Sequence, residues 1–219
     1  MLDVAAGHGR STLALMQNLK DFKRVTAIDT VDLTDDSTQE VLKHDKVTFV
    51  QMDARCMDFA DNTFDTVHIA HSLHHLAEVE SVLQEMVRVL KPAGHLIVDE
   101  MYRDQQTEKQ LNVVHLHDWW ADIDTRLGIL HNHTFRRQEI IALIDQLDLK
   151  LTDFTEIIDS SYTENELVRI GEKGIEQYYQ RAQDLPDFEE FSIRGEQLRQ
   201  QLHTVGAQLA TTLLTVGIK

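Results

Sequence analysis

Cysteine is nearly absent from this 219-residue chain: Cys56 stands alone. No internal disulfide framework can form, and a reducing, cytoplasmic setting is the expectation. Proline occurs twice, at positions 92 and 186, and glycine nine times. So few breakers predict long regular elements, with Gly7, Gly9, Gly94 and Gly128 in the connections between them. Basic residues are outnumbered, 21 against 37, which leaves a net charge of −16. A phosphate backbone or an anionic bilayer calls for the opposite sign, so neither nucleic acid nor a membrane surface is an expected partner. No apolar run approaches the ~20 residues of a spanning helix. The chain opens without the basic-then-apolar pattern of a secretion signal, so neither membrane insertion nor export is expected. What is present, 42% hydrophobic and 26% charged residues, is the balance of one globular α/β domain with an appendage.

The first hundred residues alternate β-rich runs with helical periodicity. Strands are expected over 1–6, 24–28, 47–52, 64–70 and 95–101. Helices are expected over 11–19, 37–44 and 79–90, and a turn at 91–94. Strand, helix, strand at this spacing predicts right-handed crossovers and a parallel sheet. Ligands of such sheets lie beyond the carboxyl ends of the strands, where the strand order reverses. Asp29, Asp53 and His71 fall at or just past those ends. Residues 104–147 read as helix, interrupted near 128–134, with Thr134 as the cap of a helix over 135–147. Residues 150–158 alternate as a sixth strand. Thr163-x-x-Glu166 and Asp187-x-x-Glu190 resemble capping boxes, and apolar residues at 198, 202, 205, 209, 213 and 216 keep helical spacing. Two amphipathic helices are therefore expected over 163–183 and 187–217. The expected organisation is a core, 1–158, and a helical C-terminal extension, 159–219.

Leu2-Asp3-Val4-Ala5-Ala6-Gly7-His8-Gly9-Arg10 carries a strand into a glycine turn and then a helix. Glycine permits positive φ and close approach of a ligand, and a helix amino terminus presents free N–H groups. The pattern is A-x-G-x-G, not the dinucleotide fingerprint G-x-G-x-x-G. Asp29 follows Gly7 by 22 residues, Met52-Asp53-Ala54 closes the third strand, and Phe64-Asp65-Thr66-Val67 opens the fourth. Val87-Arg88-Val89-Leu90-Lys91-Pro92-Ala93-Gly94-His95-Leu96 leads into the fifth. In this order the motifs resemble those of class I S-adenosylmethionine-dependent methyltransferases, over about residues 1–158. Ser72-Leu73-His74-His75-Leu76 is similar to the small-molecule branch that includes quinone-biosynthesis enzymes.

The resemblance implies a Rossmann-like α/β fold with a parallel sheet, and S-adenosyl-L-methionine as methyl donor, released as S-adenosyl-L-homocysteine. It implies a cofactor site made by Asp3, Ala5, Gly7, Gly9, Asp29, Thr30, Asp53, Ala54, Ala70 and His71. Asp29 would accept from the ribose hydroxyls, and Asp53 with the Ala54 N–H would read the adenine edge. Ala5 and Gly7 would admit the methionine portion. Asp3 and the carbonyls of Ala70 or His71 would receive its ammonium. The implied reaction is in-line transfer of a methyl group to a small-molecule acceptor. The sulfonium is already activated, so no obligatory catalytic side chain follows; His71, His74 and His75 are the candidates for a general base. His115-x-His117 and His131-x-His133 have the composition of metal ligands, but no cysteine or carboxylate spacing supports them, and no metal is expected. Trp119-Trp120 is a candidate wall for the acceptor.

Two departures accompany the resemblance. The first strand begins at Met1, where the family places helices that cover the cofactor, so weakened cofactor binding is expected unless the tail helices provide the cover. The family also ends its sheet with two strands, and one candidate is visible. The competing readings are a non-catalytic nucleotide-binding module, self-associating through the amphipathic tail as a homodimer, and an NAD-dependent oxidoreductase. The latter lacks the third glycine and a Tyr-x-x-x-Lys pair.

Overall fold

The computed structural model describes residues 1–19, 21–31, 41 and 44–219. Its strands are β1 Leu2–Val4, β2 Val25–Asp29, β3 Val47–Gln51, β4 Phe64–Ala70, β5 Leu90–Met101, β6 Leu151–Ile157 and β7 Thr212–Ile218. The helices are α1 Arg10–Asn18, α2 Val79–Val89, α3 Glu108–Arg126, α4 Arg137–Asp145, α5 Glu164–Ala182 and α6 Phe188–Thr204, with a 3-10 turn at Leu73–His75. The helix expected over 37–44 lies almost wholly outside the described residues. The strands form one sheet in the order β3-β2-β1-β4-β5-β7-β6. The first five pair in parallel, and β7 runs antiparallel to β5 and β6. The order reverses between β1 and β4, so the crevice at their carboxyl ends is the position where such sheets take ligands.

Parallel strands covered on both faces are apolar throughout, and β1 is buried at all three positions. On one side α2 lays Val79, Val82, Leu83, Met86 and Val89 into the main core with Leu2, Val67, Ile69 and Leu96. Each such side chain contributes about 1.5–3 kcal/mol through burial. The basic residue of the 87–96 motif has a structural task. Arg88 donates to the carbonyls of Met57 and Phe59 and pairs with Glu85 and Asp61. That ties the loop before β4 to α2. The turn expected at 91–94 is a bulge within β5: the register with β4 shifts between Phe64 and Thr66, and Ala93 takes a φ of 62°.

The tail departs from the helical expectation beyond Thr204. Gly206 turns the chain at a φ of 97°, and residues 212–218 pair along their length with β5 and β6. The β-branched run Thr211, Thr212, Thr215, Val216 suits a strand, and the apolar residues at 209, 213 and 216 continued the helical spacing only by coincidence. A division at residue 158 therefore leaves the middle strand of the antiparallel edge on the extension side, and α5 and α6 are an insertion between β6 and β7.

The insertion packs on α3. Leu116, Trp119 and Ile123 meet Leu167, Ile175, Phe191 and Leu202 in a second core, and the Trp119 indole N–H donates to the Phe191 carbonyl at 3.2 Å. One face of each tail helix is thus covered inside the chain, while Ile170 and Ile193 stay exposed. Capping follows expectation at Thr163–Glu166, where both bonds of the box form. It fails at Asp187, which makes no capping bond and pairs with Arg126. It also fails at Thr134, whose N–H and hydroxyl are both held by Asp118; α4 starts after Arg136, whose N–H donates to the Glu139 carboxylate at 2.6 Å.

A mid-helix glycine normally gains about 1 kcal/mol on becoming alanine. At Gly174 the new Cβ would stand 2.4 Å from Trp120 Cζ2, part of a rigid ring stacked on Tyr178 at 5.4 Å. Overpacking costs about 1–3 kcal/mol and prevails. Gly174→Ala is expected to lower stability by about 1 kcal/mol, read as a lower urea midpoint; a raised midpoint contradicts this packing.

Candidate active site

Three residues within five take left-handed backbone after β1: Ala5 at φ 51°, Gly7 at 51° and Gly9 at 76°. The turn swings the chain from the sheet into α1, whose amino end has no side-chain cap. Among the described residues, a Cβ placed on Gly7 would meet nothing within 4 Å. Asp29, at the end of β2, holds the turn: its Oδ2 accepts from Gly7 N–H at 2.8 Å and its Oδ1 from Val31 N–H at 3.0 Å. A carboxylate has about four acceptor positions, and among the described residues each Asp29 oxygen accepts one N–H.

The end of β4 faces this turn. His71 takes a φ of 47° and donates its N–H to the Asp99 carbonyl. Ser72 Oγ reaches the Ala70 carbonyl at 2.8 Å and the Ala5 carbonyl at 3.2 Å, tying the two left-handed turns together. The structure therefore brings together Ala5, Gly7, Asp29, Ala70 and His71. Asp53 stands at the neighbouring strand end, where Met52 N–H donates to the Asp29 carbonyl. Its carboxylate is clasped by Arg55, whose hydrogen bonds hold it below the ordinary aspartate range, and Arg55 reaches on to Glu78. Ala54 is buried, and Thr30 is exposed with its carbonyl accepting from Gln51.

Asp3 lies behind the turn. It is fully buried; Oδ2 accepts from the Ser11 and Thr12 hydroxyls at 2.8 and 2.6 Å, and Oδ1 meets His68 Nδ1 at 2.8 Å. In this arrangement it fastens α1 to the sheet rather than opening onto the crevice. The sequence reading of Asp3 missed this because its three partners lie 8, 9 and 65 residues away.

The histidines after β4 join a second cluster. His74, His75, His117 and His131 each offer a ring nitrogen within 4.8 Å of the others. The two H-x-H pairs of the sequence do not act as pairs. His115 is exposed, and His133 pairs with Asp122 at 2.7 Å, so one histidine from each joins His74 and His75. His74 is buried with Nδ1 3.1 Å from Glu100 Oε1, and His131 is buried with Nδ1 2.8 Å from Asp124 Oδ2. Burial and the neighbouring imidazoles push His117 well below its ordinary value, and desolvation followed by His74 and His131 pushes His75 down to about 4. Both are neutral at pH 7. His71 stays apart, exposed, its Nε2 3.8 Å from Asp99. Trp119 and Trp120 belong to the second core, not to an open acceptor wall.

Asp3→Ala is expected to lower stability by about 3 kcal/mol, because it strands two hydroxyls and an imidazole in the core. Urea unfolding followed by circular dichroism measures it; a loss below 1 kcal/mol contradicts the fastening role.

Residues 2–98 match the family described as methyltransferase domain. The ubiquinone/menaquinone biosynthesis C-methyltransferase of Enterobacter sp. (strain 638) is 36% identical over 104 residues, which cover 46% of this chain and 41% of the relative. The chain thus matches about two-fifths of the length of such relatives. Among solved structures, the YcgJ protein from Bacillus subtilis superposes with a TM-score of 0.60 at 19% identity, covering 100% of this chain and 90% of that one. A Haemonchus contortus phosphoethanolamine N-methyltransferase 2 in complex with S-adenosyl-L-methionine gives 0.61 at 16% identity, over 100% and 48%. These two likenesses concern the fold. Residues 2–98, under half of the chain, are thus similar to a methyltransferase domain, and over its whole length the chain shares the Rossmann-like fold of these solved structures.

Proposed function

We propose that the chain transfers a methyl group from S-adenosyl-L-methionine to a small-molecule acceptor. The observation that carries the reading is the Asp29 carboxylate at the end of β2, bound to Gly7 N–H in the turn after β1, beside the switch in strand order; among the described residues each of its oxygens accepts one bond. The residues suit the donor. Two vicinal hydroxyls match the two oxygens of Asp29, and charge-assisted hydrogen bonds of this kind orient as well as bind. The turn at Gly7 admits an amino-acid tail. The carbonyls of Ala5 and Ala70, drawn together by Ser72, accept from its ammonium. Asp53, Ala54 and Thr30 flank the base. The acidic surface as a whole favours a donor whose sulfonium and ammonium together outweigh its carboxylate.

When bound, the donor supplies a methyl carbon on a positively charged sulfur. The acceptor's lone pair forms the new bond to that carbon, the carbon–sulfur bond breaks, and its electron pair stays on sulfur. The chain's part is to hold both reactants in line, which supplies up to about 7–11 kcal/mol in favourable cases. Where the acceptor must lose a proton, exposed His71 beside the crevice is the base. His74 is buried against Glu100 and His75 is held in the imidazole cluster.

Titration calorimetry tests the reading. S-adenosyl-L-homocysteine is expected to bind and NAD not to bind. Asp29→Ala is expected to weaken binding by about 10–100-fold, the worth of hydrogen bonds to a charged group. Tight binding of NAD instead, or homocysteine-nucleoside binding unchanged in Asp29→Ala, overturns the proposal.

A further inference from the structure

The imidazole cluster lies beside the crevice and has no part in the proposed transfer. We infer that His74, His75, His117 and His131 form a tetrahedral site for one divalent transition-metal ion of the zinc type. Three independent features carry this. The first is geometry. Nitrogens bound to zinc at about 2.0–2.1 Å in a tetrahedron lie about 3.3–3.4 Å from one another. His117 Nε2 and His131 Nε2 face each other at 3.4 Å, and the other ligand nitrogens stand within 4.8 Å. Modest ring rotations close the set on one ion.

The second feature is the outer shell. A zinc-bound imidazole characteristically donates its other ring N–H to a carboxylate, which fixes the tautomer and aims the ligand. Here His74 Nδ1 meets Glu100 and His131 Nδ1 meets Asp124, so both Nε2 atoms are left for the ion. Asp124 is held in turn by Tyr178 Oη at 2.9 Å and Arg181 Nη2 at 2.7 Å. The loop carrying His131 is pinned to the His74 segment, because Asn132 N–H donates to the His74 carbonyl at 2.8 Å. These groups are built to hold the rings where they are.

The third feature is charge. Glu100 is completely buried, and its hydrogen-bond partners are Leu73 N–H, Met101 N–H and His74, with no lysine or arginine among them. A buried carboxylate is costly unless positive charge stands beside it, and a dication on His74, whose Nδ1 lies 3.1 Å from Glu100 Oε1, supplies that charge one ring away. All four ligands are nitrogen, a set that suits zinc, copper, nickel or cobalt and not magnesium or calcium. His74 and His131 are buried, His117 is half-buried and His75 is exposed, so the ion enters from the His75 side. The ligands come from the turn after β4, from α3 and from the loop before α4, so the ion clips the helical layer to the sheet.

Tag-free, metal-stripped chain titrated with zinc tests this. One ion per chain is expected, with a raised melting temperature. Cobalt in its place gives the intense visible bands of tetrahedral coordination. X-ray absorption on the zinc-loaded wild-type chain is expected to show about four nitrogens near 2.0–2.1 Å, a readout that needs no variant to fold. His117→Ala and His131→Ala lose the ion, Asp124→Asn weakens it about 10–100-fold, and His133→Ala, next to the site but outside it, leaves it unchanged. Absence of stoichiometric uptake by the wild-type chain, an oxygen-rich shell, or uptake surviving in a folded His117→Ala/His131→Ala chain overturns the inference. S-adenosyl-L-homocysteine binding is measured on the same samples. Zinc uptake without it leaves the metal site standing and defeats the transfer reading; the converse defeats only the metal site.

Discussion

The hydrogen bond from Gly7 N–H to the Asp29 carboxylate governs the candidate site. It joins the turn after β1 to the end of β2, across 22 residues of sequence. Gly7 adopts a positive φ there, and among the described residues a Cβ on it would meet nothing within 4 Å. Asp3 secures the same turn from beneath, through Ser11, Thr12 and His68. Two aspartates of the same motif set therefore divide the labour. One is fully buried among side-chain partners; the other is half-exposed at the end of β2.

The rest of the molecule keeps this turn where it is. The apolar rows of β1, β4 and α2 fix the sheet under it. Ser72 binds the second left-handed turn to the first. Arg88 and Glu85 hold the loop that leads into β4; the Arg88 hydrogen bonds keep the Glu85 carboxyl below its ordinary range. The helical insertion closes over α3 and carries half of the imidazole cluster's support, since Tyr178 and Arg181 of α5 both grip Asp124. Among the described residues no helix is long and apolar enough to cross a membrane.

The parallel half of the sheet was legible because strand ends, glycine turn and amphipathic helices are local patterns. Asp29 could be placed for the same reason: it closes a run of apolar residues. What escaped the sequence is long-range. β7 was hidden because Leu209, Leu213 and Val216 match helical spacing, while its strand character comes from pairing with β5 and β6. Thr134 looked like a cap and was claimed by Asp118, 16 residues earlier. Asp187 was drawn to Arg126 instead of its own helix. The four histidines come from three segments, and their carboxylate partners, Glu100 and Asp124, lie 26 and 7 residues from their rings, so spacing alone could not assemble them. A signal was present in the abundance of histidine, twelve in all, and in its crowding after β4 and around α3.

The central claim is that Asp29 and the glycine turn form a cradle for an adenosyl amino acid. A crystal structure of the chain grown with S-adenosyl-L-homocysteine tests it most directly. The account predicts both ribose hydroxyls on the Asp29 carboxylate, with the amino-acid tail lying over Gly7 toward the Ala5 and Ala70 carbonyls. A ligand bound elsewhere, or a crevice that stays closed at saturating ligand, contradicts it.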